Sequence, residues 1–300
     1  MITTDRLTNT LKTFVLLAAL GGLLIFAGRL LGGTAGMLFA LAIAVVLNVS
    51  VYWFSDRIAL KANGARPLAP GEIPFIERTV ADLANRARIP MPKLYLIDRP
   101  EPNAFATGRN PSHSAVAVTT GLLQTMEERQ IRGVLAHELS HVTNRDVLVG
   151  TVAATFGAAI SWLAQMAQFS LFFGGGNSDE EGGGNMLSIL AMAILAPLAA
   201  LVIQMAVSRG REYGADQSGA RLTGDPEGLA SALERLDAIN QGLRAQRGGI
   251  FGRRPKAQPV PAATAHLYTV SPLSATGIGS LFSTHPPIEE RVRRLRSFRS

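Results

Sequence analysis

Long apolar blocks alternate with polar segments along this chain and dominate its hydropathy pattern. Four blocks approach or exceed the roughly 20 residues that an α-helix needs to cross a bilayer: residues 13–31, 34–54, 147–173 and 186–207. The first two flank Gly32-Gly33, and the last two flank a glycine-rich acidic segment, residues 174–185. The pattern therefore predicts an integral membrane protein with two helical hairpins.

Each hairpin has an alternative interpretation. Arg6 and Lys12 precede the first block as in a signal peptide, but no small-residue cleavage site follows and a second span begins at once, which favours a permanent anchor. In the second hairpin, Gln165, Gln168 and Pro197 interrupt the apolar runs. Its helices could therefore pack against protein or lie shallowly instead of spanning, and both interpretations stay open.

The segment between the hairpins has the mixed periodicity of an α+β domain. Residues 71–88 follow a helical pattern, and residues 93–97, 103–108 and 114–120 are typical of extended chain. Within the last of these, one run is predicted to be either an edge strand that receives an extended substrate or an ordinary core strand: Ala115, Val116, Ala117 and Val118.

The segment after the second hairpin contains two further predicted helices. Gly224-Asp225-Pro226 is a turn and helix start, and this helix is expected to end near Asn240. Residues 242–261 are rich in Gly, Arg, Gln and Pro and are predicted to form a mobile cytosolic loop. In residues 288–299, Ile288, Val292 and Leu295 share one helical stripe, so we expect a packed helix whose basic side faces either solvent or lipid headgroups.

The pentapeptide His137-Glu138-Leu139-Ser140-His141 carries the clearest chemistry. Thr125 and Glu128 have the spacing of a capping box, and apolar residues then recur at helical spacing through residue 142. On such a helix the two histidines share one face and can hold one metal ion, with Glu138 beside it as the catalytic base. Catalytic zinc takes three protein ligands and a water, which is the machinery of peptide hydrolysis. A buried histidine pair without metal is the alternative.

A third zinc ligand must come from elsewhere in the chain. A third histidine six residues after the second is excluded, because that position is Val147. The best candidate is Glu212, with Asp216 one helical turn later to orient a histidine ligand through its second ring nitrogen. The alternative is a surface ion pair between Glu212 and Arg209.

Composition narrows the function classes further. The chain has a net charge of +7, but its basic residues flank the apolar blocks and no nucleic-acid recognition motif is present, so nucleic acid is not expected as a partner. The basic flanks and the acidic 174–185 loop place both termini and the zinc site on the cytoplasmic side. With no cysteine, histidine and carboxylate must hold the metal.

The remaining histidines carry weaker signals. His285, in Ser283-Thr284-His285-Pro286-Pro287, precedes the last predicted helix and could either stabilise an oxyanion or contact substrate, or simply pack in a loop. His113 and His266 have no supporting pattern, and no role is predicted for them.

Several motifs together resemble the HtpX-type membrane metallopeptidases, relatives of the zinc-dependent CAAX prenyl endoproteases. The matching segments are residues 103–110, 115–123, 137–146, 208–216, 224–236 and 282–295. The resemblance implies one zinc ion held by His137, His141 and Glu212, and catalysis by Glu138. It also implies a multi-pass protein of the bacterial inner membrane that degrades damaged membrane proteins in a stress response.

The expected fold is a mainly α integral membrane protein, with multi-pass helices and a zincin-like α+β metallopeptidase domain of the gluzincin type. Its expected parts are residues 1–54 with the first hairpin, 55–146 with the zinc helix, 147–207 with the second hairpin, and 208–300 with the third ligand. Expected partners are membrane-protein substrates and the bilayer. A site-specific processing peptidase and a non-hydrolytic chaperone with structural zinc are the alternative functions.

Overall fold

The computed structural model describes residues 2–147, 149, 150, 152, 210–247 and 286–298. The second predicted hairpin, the 174–185 loop, residues 248–261, His266 and His285 lie outside these described residues, apart from a few helical positions at the start of the third apolar block.

Helix α1 (Ile2–Ala62) folds back on itself near its middle. Gly33 has a φ of +59°, which favours glycine, at the predicted Gly32-Gly33 turn. The side-chain amide of Asn48 donates to the Leu17 carbonyl at 3.3 Å, so the two halves run antiparallel in contact. Thr8–Phe26 and Gly33–Ala62 are each long and apolar enough to cross a membrane.

Close helix packing near the turn depends on glycine. A Cβ added to Gly28 would lie 2.4 Å from the Ala40 Cβ and 2.5 Å from the Gly36 carbonyl oxygen. The outward faces of both halves carry exposed large apolar side chains, including Phe14, Phe39 and Val46. Such continuous apolar exposure is unfavourable in water and is expected of a helix surrounded by lipid.

A four-stranded sheet follows α1. Its strands are β1 (Arg66–Pro67), β2 (Lys93–Ile97), β3 (Ala104–Asn110) and β4 (His113–Thr119), and helix α2 (Pro74–Ala87) precedes β2. The spatial order is β1-β2-β4-β3, with β2 and β4 parallel and the other pairs antiparallel. All three predicted extended segments are strands, within two residues at each end.

Strand β4 is a central, buried strand, so of the two predictions for residues 115–118 the core strand is confirmed and the substrate-binding edge strand is wrong. Val116 pairs with Leu94 of β2 on one side and with Ala106 of β3 on the other. Both rows of backbone groups in β4 are therefore used within the sheet, and none can receive a substrate. In the part of the chain that the structure describes, β3 is the outer strand of the sheet next to β4.

The two faces of the sheet pack against different helices, as strand alternation requires. Ala106 and Val116 face a core formed with α2 and with α4 (Glu128–Thr143). Phe105 and Ala117 face the other way and pack against the last turns of α1 at Ala59 and Leu60. The end of the apolar hairpin is thus part of the hydrophobic core of the sheet.

Helix α4 begins later than predicted. Thr120–Thr125 forms a separate short helix, α3, and Met126 is extended with a ψ of 146°. The capping box is formed by Glu127 and Gln130, whereas the Thr125 hydroxyl donates to the Gly121 carbonyl of α3. The predicted Thr125–Glu128 box is therefore wrong because the chain turns between α3 and α4.

Three helices lie after the second apolar hairpin in the described part of the chain: α5 (residues 210–223), α6 (Pro226–Arg247) and α7 (Ile288–Arg296). Helix α6 begins at the predicted Gly224-Asp225-Pro226 turn but continues to Arg247, so residues 242–247 are helical instead of part of a loop. Helix α7 confirms the predicted terminal helix, and its Val292 and Leu295 pack on Leu229 and Leu233 of α6.

Gly133 provides a direct test of how α4 packs on α6. A Cβ at Gly133 would lie 2.6 Å from the Leu229 backbone nitrogen, which cannot move independently of its helix. We expect Gly133→Ala to lower the free energy of unfolding in detergent by about 1–3 kcal/mol, measured by urea titration. Gly242→Ala on α6 meets no atom within 4 Å and should be neutral or slightly stabilising. Equal effects of the two changes would contradict this packing.

Candidate metal centre

Helix α4 places the two motif histidines one turn apart with their rings in contact. The Nε2 atoms of His137 and His141 lie 3.2 Å apart, and the ring planes are nearly perpendicular at 88°. His137 is 1% exposed, so its ring lies in the protein interior, while His141 is partly exposed. Two unprotonated Nε2 lone pairs at this separation can share one metal ion.

Glu212 reaches the same point from α5. Its carboxylate oxygens lie 3.6 Å from the Nε2 of His137 and 3.6 Å from the Nε2 of His141. The three ligand atoms all fall within 4.8 Å of one another. Helix α5 can approach this closely because a Cβ at Gly219 would lie 3.0 Å from the His137 backbone nitrogen. Glu212 is buried, so its carboxylate does not lie at the surface as the alternative role had required, while Arg209 lies outside the described residues.

The other ring nitrogen of each histidine faces a buried carboxylate. His137 Nδ1 lies 2.9 Å from Asp216 Oδ1, and His141 Nδ1 lies 3.0 Å from Asp146 Oδ1. Each carboxylate can hold a proton on the Nδ1 that faces it, so each histidine presents its Nε2 towards Glu212 as the nitrogen that a metal ion would bind. Asp216 therefore lies where the sequence predicted, whereas Asp146 was not predicted. The sequence signal that could have identified Asp146 is its position five residues after His141.

The donor set fits zinc. Tetrahedral zinc with bonds of about 2.0–2.2 Å separates its ligand atoms by roughly 3.3–3.5 Å. The observed separations of 3.2 and 3.6 Å lie close to that range. Two imidazoles and one carboxylate are also a ligand set typical of catalytic zinc, which leaves one position open.

The electrostatics favour positive charge at this point. Burial alone would lower the pKa of His137, but Asp216 and Glu212 outweigh it and raise the pKa to about 10. The pKa of His141 is also raised, because Asp146 outweighs the effect of burial. Without metal the histidines hold protons, and a metal ion that binds must displace them.

Arg291 of α7 is the principal residue that the sequence analysis missed. It is 1% exposed, and its guanidinium donates to both Asp216 oxygens at 2.8 and 2.7 Å. Its NH1 also lies 3.4 Å from Glu212 Oε2. Burial would raise the pKa of Asp216, but Arg291 outweighs it and lowers that pKa to about 2.

A signal for Arg291 was present in the predicted helix. Residue 291 follows Ile288 by three positions and precedes Leu295 by four, so it lies on the apolar stripe instead of the basic side. An arginine on a buried helical stripe requires buried carboxylates as partners. We had expected the arginines of this helix on its basic side, and for Arg291 that expectation is wrong.

Glu138 follows the metal-site residue His137 on α4 and contacts β3, the outer strand of the sheet. Its side chain is 5% exposed, and its Oε2 accepts a hydrogen bond from the Ala106 amide of β3 at 3.1 Å. The Ala106 amide points away from β4, towards the edge where an additional strand could pair. The candidate base therefore lies beside β3, the strand that the sequence analysis did not select.

His113 lies apart from the site. It is exposed, and its Nδ1 lies 2.9 Å from the side-chain oxygen of Asn110 at the turn between β3 and β4.

The ionic contacts of Arg291 can be tested without enzymatic activity. Replacing it by glutamine removes the guanidinium that pairs with buried Asp216 and Glu212, so the metal-free protein should lose about 3–5 kcal/mol of unfolding free energy. Arg293→Gln, on the exposed side of the same helix, should leave stability nearly unchanged. Urea unfolding of both variants in detergent measures the difference. Similar midpoints for the two variants would show that Arg291 does not stabilise the carboxylates.

Known proteins are similar to this chain in both sequence and fold. The profile described as Peptidase family M48 matches residues 72–299. A "Protease HtpX homolog" of Desulforapulum autotrophicum is 50% identical over 289 residues, which cover 96% of this chain and 89% of the relative. Another from Syntrophotalea carbinolica is 47% identical over 96% of this chain and 98% of the relative.

One solved structure is similar to this chain in its fold. The crystal structure of S. mikatae Ste24p aligns at a TM-score of 0.55 and 21% identity, covering 98% of this chain and 67% of that chain. The matched range, residues 72–299, contains both motif histidines, Glu138, Glu212 and Arg291. This chain belongs to peptidase family M48.

Proposed function

We propose that this chain is a membrane-bound zinc endopeptidase that hydrolyses peptide bonds of misfolded or damaged membrane proteins. The observation that carries the proposal is the convergence of His137, His141 and Glu212, with ligand atoms within 4.8 Å, beside the buried carboxylate of Glu138. Relatives 47–50% identical over nearly the whole chain are described as proteases, which supports the same activity.

The chain's own residues supply the groups that amide hydrolysis needs. Zinc held by His137, His141 and Glu212 would supply the Lewis acidity that activates water and polarises the scissile carbonyl. Asp216 and Asp146 hold the Nδ1 protons of the two histidines and so keep each Nε2 available. The Glu138 carboxylate takes a proton from the attacking water and then passes it to the leaving amine.

Strand β3 is the proposed binding edge for substrate. An extended peptide can add to a free strand edge through main-chain hydrogen bonds, which demands little of its sequence. The Ala106 amide and Glu138 are already in hydrogen-bond contact at this edge, so a paired peptide would lie next to the base. Loose sequence preference suits an enzyme that removes damaged proteins.

The proposed location is the bacterial inner membrane, with several spans and the site facing the cytoplasm. The side-chain amide of Asn9 donates to the Asn144 carbonyl at 3.0 Å, and Asn9 lies at the start of the first candidate span. Asn144 is three residues from His141, roughly 5 Å along a helix. This proximity of metal site and membrane boundary supports membrane proteins as the substrate class. Basic residues at the span ends support the cytoplasmic orientation.

The two alternative functions have less support. A processing peptidase like the CAAX prenyl endoproteases rests on a structural likeness at 21% identity, which indicates the fold alone. A chaperone with structural zinc requires a closed set of four protein ligands. Among the described residues, the group that could hold a metal ion consists of three, His137, His141 and Glu212.

Separate substitutions of the base and a ligand distinguish their roles. Glu138→Gln keeps the three ligands but removes the proton acceptor, so zinc should remain bound while peptide cleavage falls by at least about 10³-fold. Glu212→Gln should lose both zinc and cleavage. Zinc content and cleavage of an unfolded membrane protein are measured on the same detergent-purified samples. Full cleavage by zinc-loaded Glu138→Gln would exclude Glu138 as the base.

N-methylated peptides test the β3 edge. Methylation removes one backbone donor, so alternate positions of a peptide paired with β3 should lose cleavage strongly and the intervening positions weakly. A matched series of one short substrate, methylated once at each position, gives this pattern from the measured kcat/KM values. A uniform loss along the series would contradict recognition by strand pairing.

A further inference from the structure

Two arginines and two aromatic residues meet where the second half of α1 approaches the sheet. The Arg109 guanidinium, near the end of β3, lies 4.4 Å from the centroid of the Trp53 ring. Its NH1 also donates to the Trp53 carbonyl at 3.5 Å. Arg57 lies 5.7 Å from the Phe54 ring centroid. We call these four residues the interfacial cluster.

The interfacial cluster marks the end of the exposed apolar surface of α1. Trp53 and Phe54 are 50% and 44% exposed, and they follow a succession of exposed apolar side chains that starts at Leu38. Ile58 is the last exposed large apolar residue of this helix, and Lys61 follows in its final turn. Trp and Tyr concentrate at headgroup level in membrane proteins, and arginines beside them extend to the polar boundary. The cluster therefore has the composition and position of a membrane interface.

The positive charges of Arg57 and Arg109 are available to bind an anionic ligand. Within the described residues, neither Arg57 nor Arg109 has a carboxylate at ion-pair distance, and their recorded partners are aromatic rings and the Trp53 carbonyl. In contrast, Arg129 and Arg132 of the peptidase domain each pair with an aspartate. Guanidinium groups bind phosphate oxygens in a fixed fork, and the anionic headgroup lies at the level of the aromatic rings.

We propose that the interfacial cluster binds the headgroup phosphates of anionic phospholipids and thereby fixes the end of β3 at the membrane surface. Arg109 belongs to the sheet, whereas Trp53, Phe54 and Arg57 belong to the apolar hairpin. A lipid bound between them joins the peptidase domain to the bilayer at a defined height.

This placement has a consequence for substrate, which rests on the proposed function. Ala106 precedes Arg109 by three residues, which is roughly 10 Å of extended strand. The β3 edge beside Glu138 would then lie just above the headgroups, within reach of segments emerging from the bilayer. An acidic segment of a protein partner is the competing occupant of the two arginines.

Lipid contact can be read from Trp53 fluorescence without any hydrolysis. The chain has two tryptophans, so Trp162→Phe leaves Trp53 as the single emitter, and Glu138→Gln prevents self-cleavage. The protein is reconstituted in phosphatidylcholine bilayers that contain equal mole fractions of either brominated phosphatidylglycerol or brominated phosphatidylcholine. We expect the anionic lipid to be enriched at Trp53 by at least about threefold, as calculated from its stronger quenching.

Matched variants assign that enrichment to the two arginines. Arg57→Gln with Arg109→Gln should reduce it to that of phosphatidylcholine, whereas lysine at both positions should restore most of it. Arg78→Gln, an exposed arginine on α2, is the control and should change nothing. Zinc content of every variant reports on folding.

Three results would overturn the proposal. They are equal quenching by the two lipids in the parent protein, enrichment that survives the double glutamine change, and quenching by aqueous iodide but by neither lipid. The last would indicate a site for a soluble or protein partner. Since none of these readings uses peptide hydrolysis, their failure is distinct from a failure of the zinc-loaded enzyme with intact Glu138 to cleave peptides.

Discussion

The contact between Arg291 and Asp216 is the interaction on which the rest of the site depends. Four buried carboxylates surround the two histidines: Glu138, Asp146, Glu212 and Asp216. Arg291 supplies one positive charge and a zinc ion would supply two, so the formal sum of −4 becomes −1 when both are present. Without the metal, protons on the histidines take its place, which agrees with the pKa of about 10 for His137. The site is therefore organised by charge as much as by ligand spacing.

The same contact unites distant parts of the chain. His137 lies on α4, Asp216 on α5 and Arg291 on α7, and each is at least 95% buried. Burying these charges is unfavourable unless all the partners are present together. Close backbone contacts at Gly133 and Gly219 let α6 and α5 approach α4. We therefore expect the binding of a metal ion to be coupled to the packing of the terminal helix, although the two involve segments far apart in sequence.

Sequence patterns predicted the parts of the site that depend on local spacing. The spacing of one helical turn predicted that His137 and His141 lie on the same face of a helix. It predicted the same for Glu212 and Asp216. The order of strands was not predictable in this way, because alternation of Ala115 to Val118 is the same in an edge strand and in a buried one. Only the pairing of β4 with both neighbours decides between them. Arg291 and Asp146 were missed because their partners come from tertiary contacts, and charged residues are usually assigned to the surface.

We propose that zinc is held by two imidazoles and the carboxylate of Glu212. Zinc-edge X-ray absorption of the purified protein, compared with Glu212→Asp and Asp237→Asn variants, tests it most directly. We predict a spectrum with two imidazole ligands and light-atom donors at about 2.0–2.2 Å, altered by the change at Glu212 and unaffected by that at half-buried Asp237 on α6. A spectrum with three or more imidazoles, or one that Glu212→Asp leaves unchanged, would contradict the account.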